Sequence, residues 1–385
     1  MAKDTFNIQE LVDSVNDFIR EIVIPYEKDP RNEDHGPNES LRSALIEEGR
    51  KANLIAPQLP GWLGGHNLNH KDMAKIFRAS GYSTLGPIAM NIMAPDEGNM
   101  HLLEKVATPE QQEHFLVPLA AGETRSAFLM TEPDGGAGSD PSMMSTMAIE
   151  DGDYWVINGR KTFITGGNGA AFGIIMAKTR ESATMFLADM ETPGIEIDRV
   201  LETIDSSMPG GHAIIDLKDV RVPSKNILGE INKGFRYAQV RLAPARLTHC
   251  MRWWGSAKRA HDIAEDYACN REAFSKPLID HEGVGFMLAD NLIDLKQSEL
   301  IIDWCADILD SGATGTAESS MAKVAVSEAL FRIADRCVQI LGATGVSKDT
   351  VVEQVFREIR AFRIYDGPSE VHRWSLAKKI KREHG

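Results

Sequence analysis

The sequence predicts an α+β protein in three consecutive parts: an all-helical domain over residues 1–124, a central antiparallel β domain over 125–234, and a C-terminal four-helix bundle over 235–385. Three observations predict it. Apolar residues recur at spacings of three and four toward both ends of the chain, which is the period of a helix with one buried face. Between those regions the texture changes to short β-prone runs separated by turn residues. A length of 385 residues exceeds what one hydrophobic core usually serves, so more than one packed unit is expected.

In the first part, IQELVDSVNDFIREIVIPY and LRSALIEEGRKANLI place Ile, Leu, Val and Ala at helical spacing, and Pro25 and Pro57 close them. The turn-rich PQLPGWLGGHNLNH separates two helical runs. In the second part, MAIEDGDYWVINGRKTFIT, AAFGIIMAKT, ATMFLADM and AIIDLKDVRVP read as strands. Asn158-Gly159 suits a turn whose two central residues need positive φ, so a tight hairpin is predicted there, within a small sandwich or barrel. In the third part, Trp253, Ala257, Ala260, Ala264 and Tyr267 share one helical face, and Leu288, Leu292, Leu295, Ile302 and Leu309 share another. A third run, from Met321 through Ile333 to Leu341, is closed by Gly342, and Val352, Val355 and Ile359 mark a fourth. Four long amphipathic helices with short connections make a bundle.

Composition narrows the function classes. The 43% apolar and 25% charged contents are those of an ordinary globular protein. No apolar run has membrane-spanning length, and the N-terminus lacks the basic-then-apolar layout of a signal peptide, so a cytoplasmic location is expected. A net charge of −14 argues against nucleic acid or an anionic membrane as the main partner. Cys250, Cys269, Cys305 and Cys337 form no CxxC pair and read as reduced thiols. His66, His70, His101 and His212 show no metal-ligand spacing, and no metal is predicted. Near the end, RIYDGPSEVHR sets Asp366 between an aromatic residue and Gly-Pro, at a break between two helical stretches. Taken alone, an Asp before Gly-Pro is a turn former.

Four stretches carry a resemblance. AFLMTEPDGGAGSD (127–140), WVINGRKTFITGG (155–167), NREAFSKPL (270–278) and VQILGATG (338–345), in a helical, β, helical order, resemble the acyl-CoA dehydrogenase family of flavoproteins over essentially the whole chain. The resemblance implies that family's fold and an FAD site at the junction of the β domain and the C-terminal bundle. Phe128, Met130 and Thr131 would line the flavin, Gly138 and Ser139 would approach the cofactor and the acyl-CoA phosphates, and Phe163 and Thr165 would lie against the ring. Arg271 with Phe274, and Gln339 with Gly342, would reach the FAD of a neighbouring subunit, so a homodimer or a homotetramer built as a dimer of dimers is implied. Asp134 and Gly135 are two extra residues in the flavin signature, making its loop longer and more acidic.

The resemblance also gives Asp366 a role. Tyr365-Asp366-Gly367-Pro368 occupies the place where the family commonly carries its catalytic Glu, the base that takes the α-proton of an acyl thioester while hydride leaves the β-carbon. Tyr365, Gly367, Ser139 and Arg246 would contact substrate, and Glu370 would contact FAD or orient the loop. The Asp-Gly-Pro-x-Glu-Val-His form, with NIMAPDEGNM and PGGHAIIDLKDVRVP, is similar to the subgroup that includes the dehydrogenase domain of kinase-fused mammalian members, linked to long, branched or hydroxylated acyl groups. The implied activity is FAD-dependent dehydrogenation of an acyl-CoA to a 2-enoyl-CoA, with electrons passing to electron-transferring flavoprotein. Two alternatives stand beside it: a nitroalkane oxidase-like flavoprotein using the same Asp as base, and a non-catalytic scaffold.

Overall fold

The structure, a computed structural model, describes residues 7–384; the outermost residues of the predicted end domains, 1–6 and 385, lie outside the described residues. The chain forms two compact units built from non-consecutive segments. One comprises Pro30–Asn67 and Ile88–Ala245; the other comprises the chain up to Asp29, Leu68–Pro87 and the chain from Arg246 onward. The N-terminal helical stretch is thus shared between the two units. Among the described residues no helix is long and apolar enough to cross a membrane.

The first of these units contains the helices Glu39–Lys51 and Asp96–Val106, here α1 and α2, and an eight-stranded sheet on which α2 packs. Its strands are β1 (Ser126–Leu129), β2 (Met147–Asp151), β3 (Tyr154–Thr165), β4 (Phe172–Lys178), β5 (Ala183–Asp189), β6 (Ile195–Leu201), β7 (His212–Pro223) and β8 (Ile227–Leu228). The order is β8-β5-β4-β2-β3-β7-β6, with β1 paired in parallel to the free side of β4. All other ladders are antiparallel except the single Met147↔Lys178 bridge that joins two antiparallel halves. Side chains from both halves meet in one core, in which Trp155 and Phe186 lie 5.6 Å apart between ring centroids. Phe172, Ile174, Met176 and Leu187 alternate onto the opposite face and pack on Leu102, Leu103, Phe115 and Leu119.

The hairpin is not where the sequence predicts it. Neither Asn158 nor Gly159 has positive φ; both lie inside β3, at a bulge between Ile157 and Gly159. The turn is at Gly152, φ 61°, between Asp151 and Tyr154. Tertiary partners override the local signal. Asn158 exchanges hydrogen bonds with Asp219 through its side chain, and a Cβ on Gly159 would sit 2.4 Å from the Thr146 hydroxyl, so glycine is required for packing here and not for turning.

The other unit contains α3 (Gly234–Asn270) from Arg246 onward, α4 (Glu282–Asp310), α5 (Thr316–Leu341), α6 (Val352–Phe362) and α7 (Ser369–His384). Gly342 caps α5 at φ 59°, as its position predicts. On α4, however, Leu292 is 56% exposed, and the buried positions beside it are Asn291 and Asp294. Arg332 and Arg336 of α5 bond the Asp294 carboxylate, so an ion pair occupies the space predicted for a leucine. Met321 likewise faces outward.

Candidate active site

Asp366 is displayed by a broken helix. After α6 ends at Phe362, the chain turns through Asp366 at φ 52° and Gly367 at φ 103°, and α7 begins directly after Pro368. Asp tolerates the left-handed region better than most residues, while Gly367 has no alternative: a Cβ there would lie 2.7 Å from His372 Nε2. The Asp366 carbonyl accepts from Arg246 Nε at 3.1 Å and from His372 Nε2 at 3.2 Å. Its carboxylate Oδ2 lies 3.2 Å from Nε2 of the buried His249. Tyr365 makes tilted ring contacts with both Phe362 and His249, at centroid distances of 5.5 and 4.9 Å, and its hydroxyl accepts from Trp253 Nε1.

Beneath this loop, Lys323 is fully buried and donates to the Phe362 carbonyl at 2.6 Å, tying off the end of α6. Burial pulls its ammonium down to about 8. Burial also lowers Arg246, against the opposing charge of Asp366. His372 is pushed down to about 4 by burial, with Arg246 and Lys323 adding to the effect, so its ring is neutral at physiological pH. Ser369 and Arg363 both bond Glu328, which anchors the loop from its other side.

The remaining predicted residues of this unit lie on surfaces. Arg271 precedes a two-stranded hairpin, Glu272–Ala273 with Lys276–Pro277, whose turn residues Phe274 and Ser275 both have positive φ. Phe274 is 93% exposed. Gln339, Gly342 and Glu370 are exposed as well.

The sheet unit gathers the other set. The Thr131 carbonyl accepts the Thr162 N–H at 2.9 Å, so the exit from β1 lies beside a second bulge in β3, between Lys161 and Ile164. At that bulge Phe163 takes φ 53° and projects outward, an arrangement that re-aims a side chain at the expense of backbone strain. Phe128 lies under the Arg241 guanidinium at 4.3 Å, and Met130 and Thr131 are partly buried. Thr165 bonds His212 Nδ1 at 2.9 Å, and His212 Nε2 bonds Asp205 at 2.7 Å. Burial raises Asp205, but the His212 contact outweighs it and holds the carboxyl below its ordinary value. The signature's own Glu132 is structural: it accepts from Lys161 Nζ, Ser145 and Thr146 with no side-chain exposure, and these donors overcome burial to hold it down to about 2.

Two glycines of the signature loop differ. A Cβ on Gly136 would strike Glu132 at 2.6 Å, so the fold requires that glycine. A Cβ on Gly138 would meet nothing within 4 Å, and Gly138 and Ser139 are exposed. Nothing in the chain itself demands glycine at 138, which fits a backbone that a phosphate-bearing cofactor approaches closely.

Sequence reasoning missed His249, Arg252, Lys323 and His372 around Asp366, and His212 with Asp205 behind Thr165. One signal was present. Arg246, His249 and Arg252 recur every three residues along a helix whose neighbouring positions are apolar.

Three family descriptions match in order: acyl-CoA dehydrogenase N-terminal domain over residues 5–123, middle domain over 127–214 and C-terminal domain over 232–381. The chain is 35% identical to acyl-CoA dehydrogenase family member 11 of Gallus gallus, covering 97% of this chain and 51% of that protein. It is 35% identical to "Probable acyl-CoA dehydrogenase FadE2" of Mycobacterium tuberculosis, covering 96% and 94%. The chain therefore spans about half the length of the vertebrate family member 11 relatives and nearly all of the mycobacterial one. A solved structure of a proposed acyl-CoA dehydrogenase from Mycobacterium abscessus superposes with a TM-score of 0.91 at 33% identity, covering 98% of both chains. Fold and matches together define a class, the proteins built from acyl-CoA dehydrogenase N-terminal, middle and C-terminal domains. Within that class, this chain belongs to the acyl-CoA dehydrogenase family, whose cofactor is FAD.

Proposed function

We propose that the chain dehydrogenates an acyl-CoA to a 2-enoyl-CoA, with Asp366 taking the α-proton. The observation that carries this reading is the presentation of Asp366: a carboxylate at a strained helix break, its backbone held by Arg246 and His372 and its side chain against His249. A carboxylate fixed in this way is suited to general-base work. FAD, when bound, supplies the hydride acceptor. Phe128, Met130, Thr131, Gly138, Ser139, Phe163 and Thr165 would hold it, with Glu370, and with Arg271, Phe274, Gln339 and Gly342 from a neighbouring copy. The unobstructed Gly138 and the outward Phe163 fit such a group. Ser139, Arg246, Tyr365 and Gly367 would contact the substrate.

The acid is one carbon–carbon bond shorter than Glu, about 1.5 Å. A shorter base leaves room for a bulkier acyl chain, which supports long, branched or hydroxylated substrates. Electron-transferring flavoprotein is the acceptor in this reading. A homodimer or homotetramer is supported by the apolar stripe that α4 exposes through Phe286, Ile293, Leu300 and Trp304, together with the outward Phe274. Anaerobic titration of the purified flavoprotein with a panel of acyl-CoAs tests the reading. Bleaching of the flavin band by at least one thioester is expected, and Asp366→Asn keeps the yellow colour while losing about 10²–10⁴ in turnover. A flavin that no thioester reduces overturns it.

A further inference from the structure

The imidazole of His249 is buried, sits against the carboxylate of Asp366, and takes no part in the chemistry described so far. We propose that His249 is a positioning residue for Asp366, held in a single tautomer by Arg252. The inference rests on the assignment of Asp366 as the base.

The tautomer follows from hydrogen-bond chemistry. Arg252, 2% exposed and one turn further along α3, brings Nη2 to within 3.2 Å of His249 Nδ1. A guanidinium only donates, so Nδ1 must present its lone pair. The single proton of the neutral ring is then on Nε2, which faces Asp366 Oδ2 at 3.2 Å. A second proton on the ring would have to enter at Nδ1, against a fixed cation. The ring plane is set independently by Tyr365 and Phe362, at centroid distances of 4.9 and 6.0 Å.

Labour at Asp366 is thereby divided. Arg246 Nε and His372 Nε2 both hold the backbone carbonyl, which places the loop. His249 acts on the carboxylate itself, which sets the side-chain torsion and stabilises the charged, proton-accepting form. The charged or titratable groups facing Asp366 include Arg246 and His249 from α3, Lys323 from α5 and His372 from α7; those facing His249 include Arg252, Tyr365 and Asp366. Removing the His249 donor therefore subtracts one favourable contact to the carboxylate and leaves in place Arg246 on the same helix, Lys323 on α5 and His372 on α7.

His249→Phe keeps an aromatic ring beside Tyr365 and Phe362 and deletes the donor, and His249→Gln returns an N–H at similar reach. The experiment follows the pH dependence of kcat/KM on whichever acyl-CoA bleaches the flavin, with flavin content and melting temperature checked for each variant. For His249→Phe the acid limb is expected to move to higher pH by about one unit, because an anion that loses a donor protonates more readily. Its kcat falls about tenfold or more from misplacement of the base, with KM changed less than about threefold. His249→Gln recovers most of both. A His249→Phe enzyme with the parental limb and kcat, or a Gln variant no better than Phe, overturns the proposal alone, provided Asp366→Asn is inactive. An Asp366→Asn enzyme with full turnover overturns the base assignment and this proposal with it. Histidine ¹⁵N resonances of the unmodified protein, assigned by their loss in His249→Gln, supply a readout free of turnover: a protonated Nε2 and a bare Nδ1 at His249 support the inference, and the opposite tautomer refutes it.

Discussion

Replacing Lys161 by Met should cost the fold a large part of its stability, although Lys161 is not itself among the residues proposed to meet a ligand. Lys161 is fully buried and donates to the Glu132 carboxylate at 2.9 Å and to the Met130 and Met176 carbonyls at 3.2 and 2.7 Å. The magnitude is that of a broken buried ion pair. Glu132 is held at about 2 against an ordinary 4.5 by Lys161 together with Thr146 and Ser145, while burial pulls Lys161 itself down to about 8, so the two shifts offset each other in the intact pair. Removing one partner of a buried ion pair costs about 3–5 kcal/mol by general experience. At about 2–4 °C per kcal/mol for a unit of this size, the melting temperature at pH 7.5 should fall by roughly 10 °C.

The pH dependence carries the diagnostic sign. Because the folded carboxyl of Glu132 lies below its unfolded value, its stabilisation is fully present above pH 4.5 and is lost as pH falls from 4.5 toward 2. Without Lys161, burial is less opposed and the carboxyl rises, so the penalty is greatest at neutral pH and shrinks as Glu132 takes up a proton. Melts followed by circular dichroism at pH 7.5 and pH 4 should show the gap between parent and variant narrowing with acid, and adding Glu132→Gln should restore part of the loss. A Lys161→Met protein that melts within about 2 °C of the parent at pH 7.5, or whose deficit is the same at both pH values, would refute the reasoning.

Two further outcomes are expected. Gly367→Ala should cost about 1–3 kcal/mol in a thermal melt and most of the turnover, since the position combines φ 103° with a Cβ 2.7 Å from His372; an active, equally stable Ala variant counts against the geometry of the loop. Gly136→Ala should lower the melting temperature by crowding Glu132, whereas Gly138→Ala should melt like the parent yet lose FAD on dialysis, read as a fall in the ratio of flavin to protein absorbance.

The helices and the sheet are legible in the sequence because their period is set by burial. Trp253, Ala257, Ala260 and Ala264 are all interior, and the Gly342 cap falls where expected. Asp366 is singled out in the sequence for a different reason, the motif around it, and its role as base is a proposal. Its surroundings are not. His249 and Arg252 read as interruptions of an apolar face until α6 and the following loop bring Asp366 to them, a contact between distant stretches that no local pattern encodes. Asn158-Gly159 shows the reverse failure: a strong turn dipeptide was spent on packing, because Thr146, just before the neighbouring strand β2, leaves no room for a Cβ. Leu292 shows a third, in which the buried Asp294 with its two arginines displaced the expected leucine.

The anchoring of the Asp366 carbonyl by two side chains from separate helices decouples where the loop runs from how far its acid extends. Reach becomes a dial that one methylene can turn while the peptide stays put. A protein bearing the longer homologue at this position could thus keep the same scaffold, its acid reaching about 1.5 Å further from an unmoved peptide.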